Sequence, residues 1–187
     1  MEIILPEEIY TVISKITKEG FKVFLVGGAV RDILMKRTHK DWDLTTNATP
    51  EEILRILPEG FYENVFGTVG VNTPLGVLEI TTMRKESEYK DSRRPSEVVW
   101  TKEINEDLGR RDFTVNAVAI ELDSSHPNPL IIDPFNGQVD LDKKLIRAVG
   151  DPDTRFSEDA LRLMRAVRLA TQLGFHIEEK TFGSIKK

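Results

Sequence analysis

One segment near the N-terminus restricts the fold more than any other. Residues 21–26 (FKVFLV) are apolar except for Lys22, which predicts a buried strand, and Gly27 and Gly28 end it. Residues 29–35 follow at once and predict a short helix that starts directly at this turn. Glycines between a strand and a helix let the backbone approach a ligand closely, with helix N–H groups facing an anion. The segment therefore predicts a strand–turn–helix unit with room for an anionic ligand.

Other segments predict helices and strands in a mixed arrangement. Residues 7–18 carry apolar side chains at helical spacing, and Thr49, Pro50 and Glu52 form the N-cap, first-turn proline and capping box of a second helix. Residues 41–44 predict a short strand, residues 66–71 and 76–83 a strand pair, and residues 84–97 a polar loop. The periodicity of residues 115–122 fits a strand or a helix equally. Residues 157–173 predict a helix capped by Ser157. We therefore predict an α/β protein whose helices and strands are mixed (α+β).

Charge is distributed unevenly along the 187 residues. The net charge is −5, which argues against a protein that coats nucleic acid, but residues 1–142 carry −9 and residues 143–187 carry +4. We therefore predict a domain over residues 1–145 and a helical unit over residues 146–187. The chain has no Cys, which excludes disulfides and Cys-ligated zinc, and no apolar run long enough to span a membrane. We expect a cytoplasmic protein.

Two aspartates make up the first group of candidate functional residues. Asp41 and Asp43 are separated by one residue, so on a strand both side chains point to the same face. Paired carboxylates suit Mg²⁺, which prefers oxygen ligands and keeps waters and substrate phosphates. Glu79, an acid within an apolar strand, is a candidate third carboxylate. Alone, each of these features is also found on ordinary surfaces, and Glu79 equally fits an ion pair or an exposed edge position.

Two basic motifs follow further along the chain. Arg110 and Arg111 precede the segment DFTVN, and adjacent arginines can bind triphosphate oxygens, although a solvated pair at a helix start explains them as well. Asp159 and Arg162 are one helical turn apart, and Arg165 and Arg168 continue the same helix. The pair is either an intrahelical ion pair or a donor–acceptor edge that reads a nucleobase.

In order, these motifs closely resemble the class II tRNA nucleotidyltransferases, the bacterial and eukaryotic CCA-adding enzymes and their poly(A) polymerase relatives. The resemblance covers residues 25 to 170 and is carried by LVGGAVRD, DWDLTT, RRDFTxNA, DPFxG and EDxxR. It implies a DNA polymerase beta-like nucleotidyltransferase head with a mixed sheet and flanking helices, followed by the start of a helical neck.

The resemblance also implies roles for individual residues. Asp41 and Asp43 match the metal-binding catalytic carboxylates, and Glu79 matches the third acidic position. The positions that match the nucleotide-binding site are Gly27, Gly28, Arg31, Arg111, Asp112, Asn116, Asp159, Arg162, Arg165 and Arg168. Of these, Asp159 and Arg162 match the residues that pair with the base of CTP or ATP.

The activity implied is template-independent addition of CMP and AMP to the tRNA 3′ end, with Mg²⁺ as cofactor and CTP, ATP and tRNA as partners. Two alternatives stay open: a poly(A) polymerase or A-adding enzyme of the same family, and a nucleotide-binding fragment without turnover. Family members run to roughly twice this length, so we expect the main tRNA-binding domains to be missing and tRNA affinity to be weak. The loop from Arg84 to Pro95 looks complete, which favours addition of CCA or A over addition of CC alone.

Overall fold

The fold is built on one mixed sheet with helices on both faces, in a computed structural model that describes residues 3–39, 41–64, 66–89, 95–122 and 129–187. The helices are α1 (Glu7–Lys18), α2 (Gly27–Leu34), α3 (Pro50–Ile56), α4 (Ile104–Gly109), α5 (Gly137–Asp142), α6 (Pro152–Glu158), α7 (Leu161–Leu173) and α8 (Glu179–Ile185). The strands are β1 (Val23–Val26), β2 (Leu44–Thr46), β3 (Phe61–Asn64), β4 (Thr68–Thr73), β5 (Gly76–Thr82), β6 (Arg84–Tyr89), β7 (Pro95–Trp100), β8 (Ala119–Glu121), β9 (Leu130–Ile132), β10 (Leu145–Ile146) and β11 (His176–Ile177). A short 3₁₀ turn occupies Thr114–Asn116.

The main sheet has seven strands in the order β3-β4-β5-β2-β1-β8-β9. Only β2 and β5 run parallel within it, and the other neighbours are antiparallel. Strands β6 and β7 form a separate hairpin, and β10 pairs with β11 in parallel. The mixed sheet with flanking helices confirms the predicted fold class. Among the described residues, no helix combines the length and apolar character that a membrane span requires.

Strand β1 lies at the centre because both of its faces are covered. Val23 and Leu25 pack with α1 and α3, while Phe24 and Val26 pack with Leu108 and other residues on the opposite face. All four side chains of β1 are buried. A strand covered on both faces shows a continuous apolar run rather than alternation, which is the pattern from which β1 was predicted.

A third apolar cluster joins the segment after α4 to the C-terminal helices. Phe113 and Val115 are fully buried and pack with Phe156, Ala166 and Leu169. The two sides of the predicted boundary at 145/146 therefore share a core. The division into two domains stays a prediction.

Helix α1, the capping box of α3 and the pairing of β4 with β5 confirm the sequence predictions. The prediction of a loop over 84–97 is wrong, because β6 and β7 pair there from Arg84–Trp100 onward. Trp100 lies on Gly67, where an added Cβ would be 2.5 Å from the indole, and the Arg84 guanidinium lies 5.5 Å from the Phe66 ring. These tertiary contacts hold the base of the hairpin. The prediction that the loop from Arg84 to Pro95 is complete also depends on residues 90–94, which lie outside the described residues.

The single helix predicted from Ser157 to residue 173 is in fact two helices. Ser157 lies inside α6, where its hydroxyl donates to the Thr154 carbonyl, and the true N-cap is Asp151, which accepts from the Thr154 N–H at 3.1 Å. Asp159 takes an extended conformation and its carboxylate accepts from the Leu161 N–H at 2.9 Å, which starts α7. The Asp159 carboxylate competes for backbone N–H groups, which explains why the helix is interrupted between α6 and α7. Residues 115–122 likewise divide into part of the 3₁₀ turn and β8.

Gly137 offers a direct test of the packing beneath β8. A Cβ at this position would lie 2.3 Å from the Thr114 carbonyl oxygen and 2.6 Å from a Val118 methyl group. Because the backbone oxygen has little freedom to shift, we expect Gly137→Ala to lower the free energy of unfolding by roughly 2 kcal/mol in urea titrations. Gly183→Ala in α8, where nothing lies within 4 Å, is the control and should not destabilise. Equal effects of the two substitutions would contradict the packing described.

Candidate functional site

The turn between β1 and α2 brings three predicted site residues together. Helix α2 starts at Gly27, immediately after β1, and Gly27 has φ +70°. A Cβ at Gly27 would lie 3.2 Å from Asp43 Oδ2 and 3.4 Å from Arg111 Nη1. Glycine is needed here both for the left-handed backbone and for the close approach of an acid and a base. At Gly28 the nearest side chain to an added Cβ is Arg31, at 3.6 Å.

The carboxylates lie at the edge where β2 and β5 run side by side. Asp41 and Asp43 lie just before β2 rather than within a strand, which corrects the predicted strand over 41–44. The Asp43 carbonyl accepts from the Val26 N–H at 3.0 Å, which fixes the segment against β1. Leu44 pairs with Ile80 in the parallel ladder, so Asp43 and Glu79 each precede the first paired residues. The segment that leads into β2 thus lies next to the glycine turn, with Asp41 exposed and Asp43 partly buried.

Two clefts meet at these acids. One, of about 260 Å³, is lined by Asp41, Asp43 and Glu79 together with the β4–β5 turn. The other, of about 150 Å³, is lined by Asp43 and Glu79 together with Arg110 and Arg111. Asp43 and Glu79 are common to both. The structure therefore brings all three predicted carboxylates to one place.

The surroundings of Asp43 change the acidity of its carboxyl group. Burial raises the pKa of its carboxyl group, and the nearby charge of Asp41 raises it further, while Arg111 acts in the opposite direction without cancelling the effect. A cation bound between the two aspartates would offset this repulsion. The electrostatics of the pair therefore favour a positively charged ligand.

The donor set fits a magnesium ion held only in part by the protein. Asp41 and Asp43 offer oxygen donors, the type that Mg²⁺ prefers. Among the described residues, no group of three His, Cys, Asp or Glu side chains lies close enough to hold a metal ion. Mg²⁺ usually retains several waters and takes substrate oxygens, so two carboxylates are sufficient for it. Glu79 lines both clefts without completing a third ligand position.

Arg111 is held in place by a buried acid that the sequence analysis did not single out. Asp107 in α4 is fully buried and accepts from Arg110 at 2.8 and 2.9 Å, from Arg111 at 3.2 Å and from the Arg84 N–H at 3.2 Å. Burial alone would raise the pKa of Asp107, but the charges of Arg110 and Arg111 and these hydrogen bonds outweigh it and hold the pKa below 3.8. The spacing of Asp107 from Arg110 and Arg111, three and four residues, is the signal that could have revealed it.

One side-chain donor of Arg111 makes no hydrogen bond with the described residues. Its Nε is buried and has no hydrogen-bond partner among the described residues. Arg31, by contrast, is fully engaged: it pairs with Asp32 at 2.8 Å and donates to Asn116 Oδ1 at 3.0 Å. Arg31 and Asn116, both predicted nucleotide-site residues, are thus in direct contact.

The C-terminal candidates form a second group. Arg162 pairs with Glu158 at 2.6 Å, and its Nη2 donates to the Arg110 carbonyl at 3.3 Å. The Asp159 carboxylate accepts from the Leu161 N–H at 2.9 Å, and the recognition of a nucleobase by Asp159 and Arg162 stays a prediction. Glu158 was not predicted as a site residue.

Asp112 and Arg165 are partners of each other. The Arg165 Nε donates to Asp112 Oδ2 at 2.6 Å, and Asp112 Oδ1 accepts from the Phe113 N–H at 2.9 Å. Arg168 is exposed on α7. Neither of the two clefts, among the residues the structure describes, is lined by Asp159, Arg162, Arg165 or Arg168. Helix α7 is linked to the segment around Arg111 by hydrogen bonds from Arg162 to the Arg110 carbonyl and from Arg165 to Asp112.

Comparison with known proteins places this arrangement in a family. The sequence model described as "Poly A polymerase head domain" matches residues 23–147. The CCA-adding enzyme of Lactobacillus helveticus (strain DPC 4571) is 47% identical over 176 residues, which cover 94% of this chain and 43% of the relative. The CCA-adding enzyme of Enterococcus faecalis (strain ATCC 700802 / V583) is 48% identical over 180 residues, covering 96% and 43%. The chain thus spans less than half the length of these relatives.

Solved structures agree with the sequence relatives. The crystal structure of the Bacillus stearothermophilus CCA-adding enzyme in complex with CTP superposes with a TM-score of 0.82 at 36% identity, covering 97% of this chain and 43% of that one. A tRNA nucleotidyltransferase complexed with a primer tRNA and an incoming ATP analog superposes with a TM-score of 0.75 at 30% identity, covering 94% and 48%.

The buried Asp107 carboxylate yields the first test of the site. Replacing it by Asn leaves two arginines that are mostly buried without their counter-charge, so we expect the free energy of unfolding at pH 7 to fall by roughly 3 kcal/mol in urea titrations. Since the folded pKa lies below the ordinary 3.8, this stabilisation is complete above about pH 4 and is lost as the pH falls through the folded value.

The difference between wild type and Asp107→Asn should therefore be constant from pH 7 to pH 5 and shrink at pH 3. Glu59→Gln is the control, because Glu59 forms an exposed pair with Lys15 at 3.0 Å and contributes little at neutral pH. If the Asp107 variant is no less stable than the Glu59 variant at pH 7, the buried cluster does not hold Arg111.

Proposed function

Because this chain belongs to the family described as poly(A) polymerase head domains, we propose that it carries the catalytic site for adding CMP and AMP to the 3′ end of tRNA. The observation that supports this most is the meeting of Asp43, Arg111 and Gly27 at one turn, with Asp41 and Glu79 beside them. A carboxylate suited to a metal ion and a guanidinium suited to phosphates thus both lie close to Gly27. Relatives that bear the name CCA-adding enzyme favour CCA addition over poly(A) synthesis.

In this mechanism, Asp41 and Asp43 would hold Mg²⁺. The ion would supply activation of the attacking hydroxyl and neutralisation of charge on the transferred phosphate and the pyrophosphate. Arg111 presents Nη1, the atom next to Gly27, to the triphosphate, because a guanidinium is well suited to binding phosphate oxygens. Gly27 and Gly28 let these oxygens approach the start of α2.

Asp107 acts through Arg111. A free arginine side chain would lose conformational entropy on binding the triphosphate, but Asp107 has already fixed Arg111 against the wall of the cleft. Arg31 is braced similarly by Asp32 and Asn116. The phosphate-binding side of the site is thereby preorganised, which lowers the cost of binding.

Base selection belongs to the region around α7. Arg162 is 7% exposed and held by Glu158, so its guanidinium edge has a defined direction. A rigid donor edge discriminates between cytosine and adenine, because a mismatched base leaves buried polar groups unpaired. Asp159 offers an acceptor next to it, and Arg165 and Arg168 add positive charge for the substrate.

The central test is nucleotide transfer to a tRNA transcript that lacks its CCA end, with labelled CTP or ATP and Mg²⁺. We expect incorporation of C and then A, and at least a hundredfold loss of rate for Asp43→Asn, since the metal ligand stabilises the transition state by several kcal/mol. Asp142→Asn, at an exposed position in α5, is the matched control and should retain activity.

Three outcomes separate the alternatives. Incorporation of A alone indicates an A-adding or poly(A)-synthesising enzyme. Saturable CTP binding without transfer indicates a nucleotide-binding fragment. Full activity of Asp43→Asn contradicts the two-carboxylate mechanism.

Base selection has its own test in Arg162→Lys. Lysine keeps the charge but loses the planar fork of donors, so we expect the ratio of C to A incorporation to change by about tenfold or more. Arg147→Lys, at a site where the side chain pairs with Asp140 and Glu178, is the control. An unchanged ratio in the Arg162 variant refutes its role in reading the base.

A further inference from the structure

A buried carboxylate in α5 takes no part in the proposed mechanism. Asp140 is 3% exposed, and its Oδ2 accepts from the Thr114 hydroxyl at 2.7 Å and from Arg147 Nε at 3.0 Å. Arg147 supplies the counter-charge that a buried carboxylate requires, and it also pairs with Glu178 at 3.2 Å. Thr114 is buried as well, so its hydrogen bond to Asp140 is shielded from water. Asp140 therefore anchors Thr114 in the fold.

Thr114 begins the 3₁₀ turn that ends at Asn116. Two hydrogen bonds close this turn, from the Asn116 N–H to the Phe113 carbonyl at 2.9 Å and from the Ala117 N–H to the Thr114 carbonyl at 3.0 Å. Helix α5 packs directly on the turn, since a Cβ at Gly137 would lie 2.3 Å from the Thr114 carbonyl oxygen. Because the turn is short and tightly closed, a displacement of Thr114 would be carried to Asn116.

Asn116 in turn holds the guanidinium group of Arg31. Asn116 Oδ1 accepts from Arg31 Nη1 at 3.0 Å, while Asp32 accepts from Arg31 Nε at 2.9 Å and from Nη2 at 2.8 Å. The guanidinium lies beside the start of α2, where a Cβ at Gly28 would be 3.6 Å from Nη2. Asp32 is the next residue along the chain, whereas Asn116 ties Arg31 to a distant part of the fold. The position of the guanidinium therefore depends on the position of the 3₁₀ turn.

We propose that Asp140 is a positioning residue for Arg31 and acts on it through the 3₁₀ turn. This assignment rests on the proposed function, in which Arg31 binds the triphosphate. Asp140 holds Thr114, the turn sets the place of Asn116, and Asn116 orients the guanidinium for the incoming phosphates. Among the described residues, Asp140 does not line either of the two clefts. Its effect is on where Arg31 lies and not on the chemistry.

The first experiment removes the hydroxyl that Asp140 holds. The Val side chain of Thr114→Val has nearly the same shape but cannot donate, so we expect KM for CTP and KM for ATP to rise together by about fivefold, the equivalent of one ordinary hydrogen bond. KM for a tRNA transcript lacking its CCA end, kcat and the ratio of C to A incorporation should each change less than about twofold, because the turn acts on the phosphates and not on the base or the primer.

Two pairs of variants control this measurement. Thr114→Ser keeps the hydroxyl and should restore the wild-type KM values. Asp140→Ala should reproduce the rise seen in Thr114→Val, whereas Asp142→Ala, which removes an exposed acid from the same helix, should not. No rise in KM for the nucleotides, a rise for one nucleotide alone, or an equal rise in the Asp142 variant overturns the proposal.

The second experiment does not depend on turnover. Inorganic tripolyphosphate, which has neither base nor sugar, is titrated by calorimetry into wild type, Thr114→Val, Arg31→Ala and the double variant. We expect Thr114→Val to raise Kd about fivefold when Arg31 is present and less than about twofold when it is absent, because residues of one hydrogen-bonded network are not additive. Binding in the Arg31→Ala background is weaker but measurable, since Arg111 remains.

The outcomes of the binding experiment are distinct. If Thr114→Val raises Kd equally in both backgrounds, its effect is a general one on the fold, and the proposal is overturned. The proposal also fails if wild type binds no tripolyphosphate. If circular dichroism shows that Thr114→Val does not fold, Asp140→Ala takes its place in the cycle. If the non-additivity is found but wild type transfers no nucleotide, the proposed function fails while the positioning role of Asp140 stands.

Discussion

The buried carboxylate of Asp107 is the interaction on which the arrangement of the site depends. It accepts hydrogen bonds from Arg110, from Arg111 and from the backbone of Arg84, so it joins the end of α4 to the start of β6. The Arg110 carbonyl then accepts from Arg162, which links the same cluster to α7. A single acid excluded from water thus contacts Arg111 and the base of the β6–β7 hairpin, and through Arg110 it is connected to the C-terminal helices. An unpaired charge at such a buried site is costly, so removing either the acid or its arginine partners would destabilise the fold.

The sequence predicted those elements in which local pattern and tertiary environment agree. Strand β1 is apolar throughout because both faces are covered, and the α3 capping box is a purely local structure. The β6–β7 hairpin could not be predicted, because contacts of Trp100 with Gly67 and of Arg84 with Phe66 form only after folding. The break before α7 was missed for a different reason: Asp159 fits an apolar-periodic helix by position, but its carboxylate caps the next helix instead.

For the candidate site, the sequence motifs pointed to residues that the fold brings together, but not to the partners of these residues. Asp41, Asp43 and Glu79 do line one cleft, and Gly27 does approach Arg111. The ion pairs and side-chain hydrogen bonds, however, join motifs that lie far apart in the sequence. Arg165 reaches back 53 residues to Asp112, and Arg31 reaches 85 residues ahead to Asn116. The topology of the fold decides which residues form such long-range pairs, and helical spacing does not predict them.

These pairs also change what the charge distribution means. The excess of positive charge after residue 142 was the basis for predicting a separate helical unit, yet Arg147, Arg155, Arg162 and Arg165 each pair with an acid of the fold. Arg155 and Arg162 share Glu158, whereas Arg147 and Arg165 pair with Asp140 and Asp112 on the other side of the predicted boundary. The charge contrast at the site is local instead: Arg110 and Arg111 line one cleft, and that cleft shares Asp43 and Glu79 with its neighbour. Because opposite charges face each other across such a short distance, the site can orient an anionic ligand without a strongly charged protein surface.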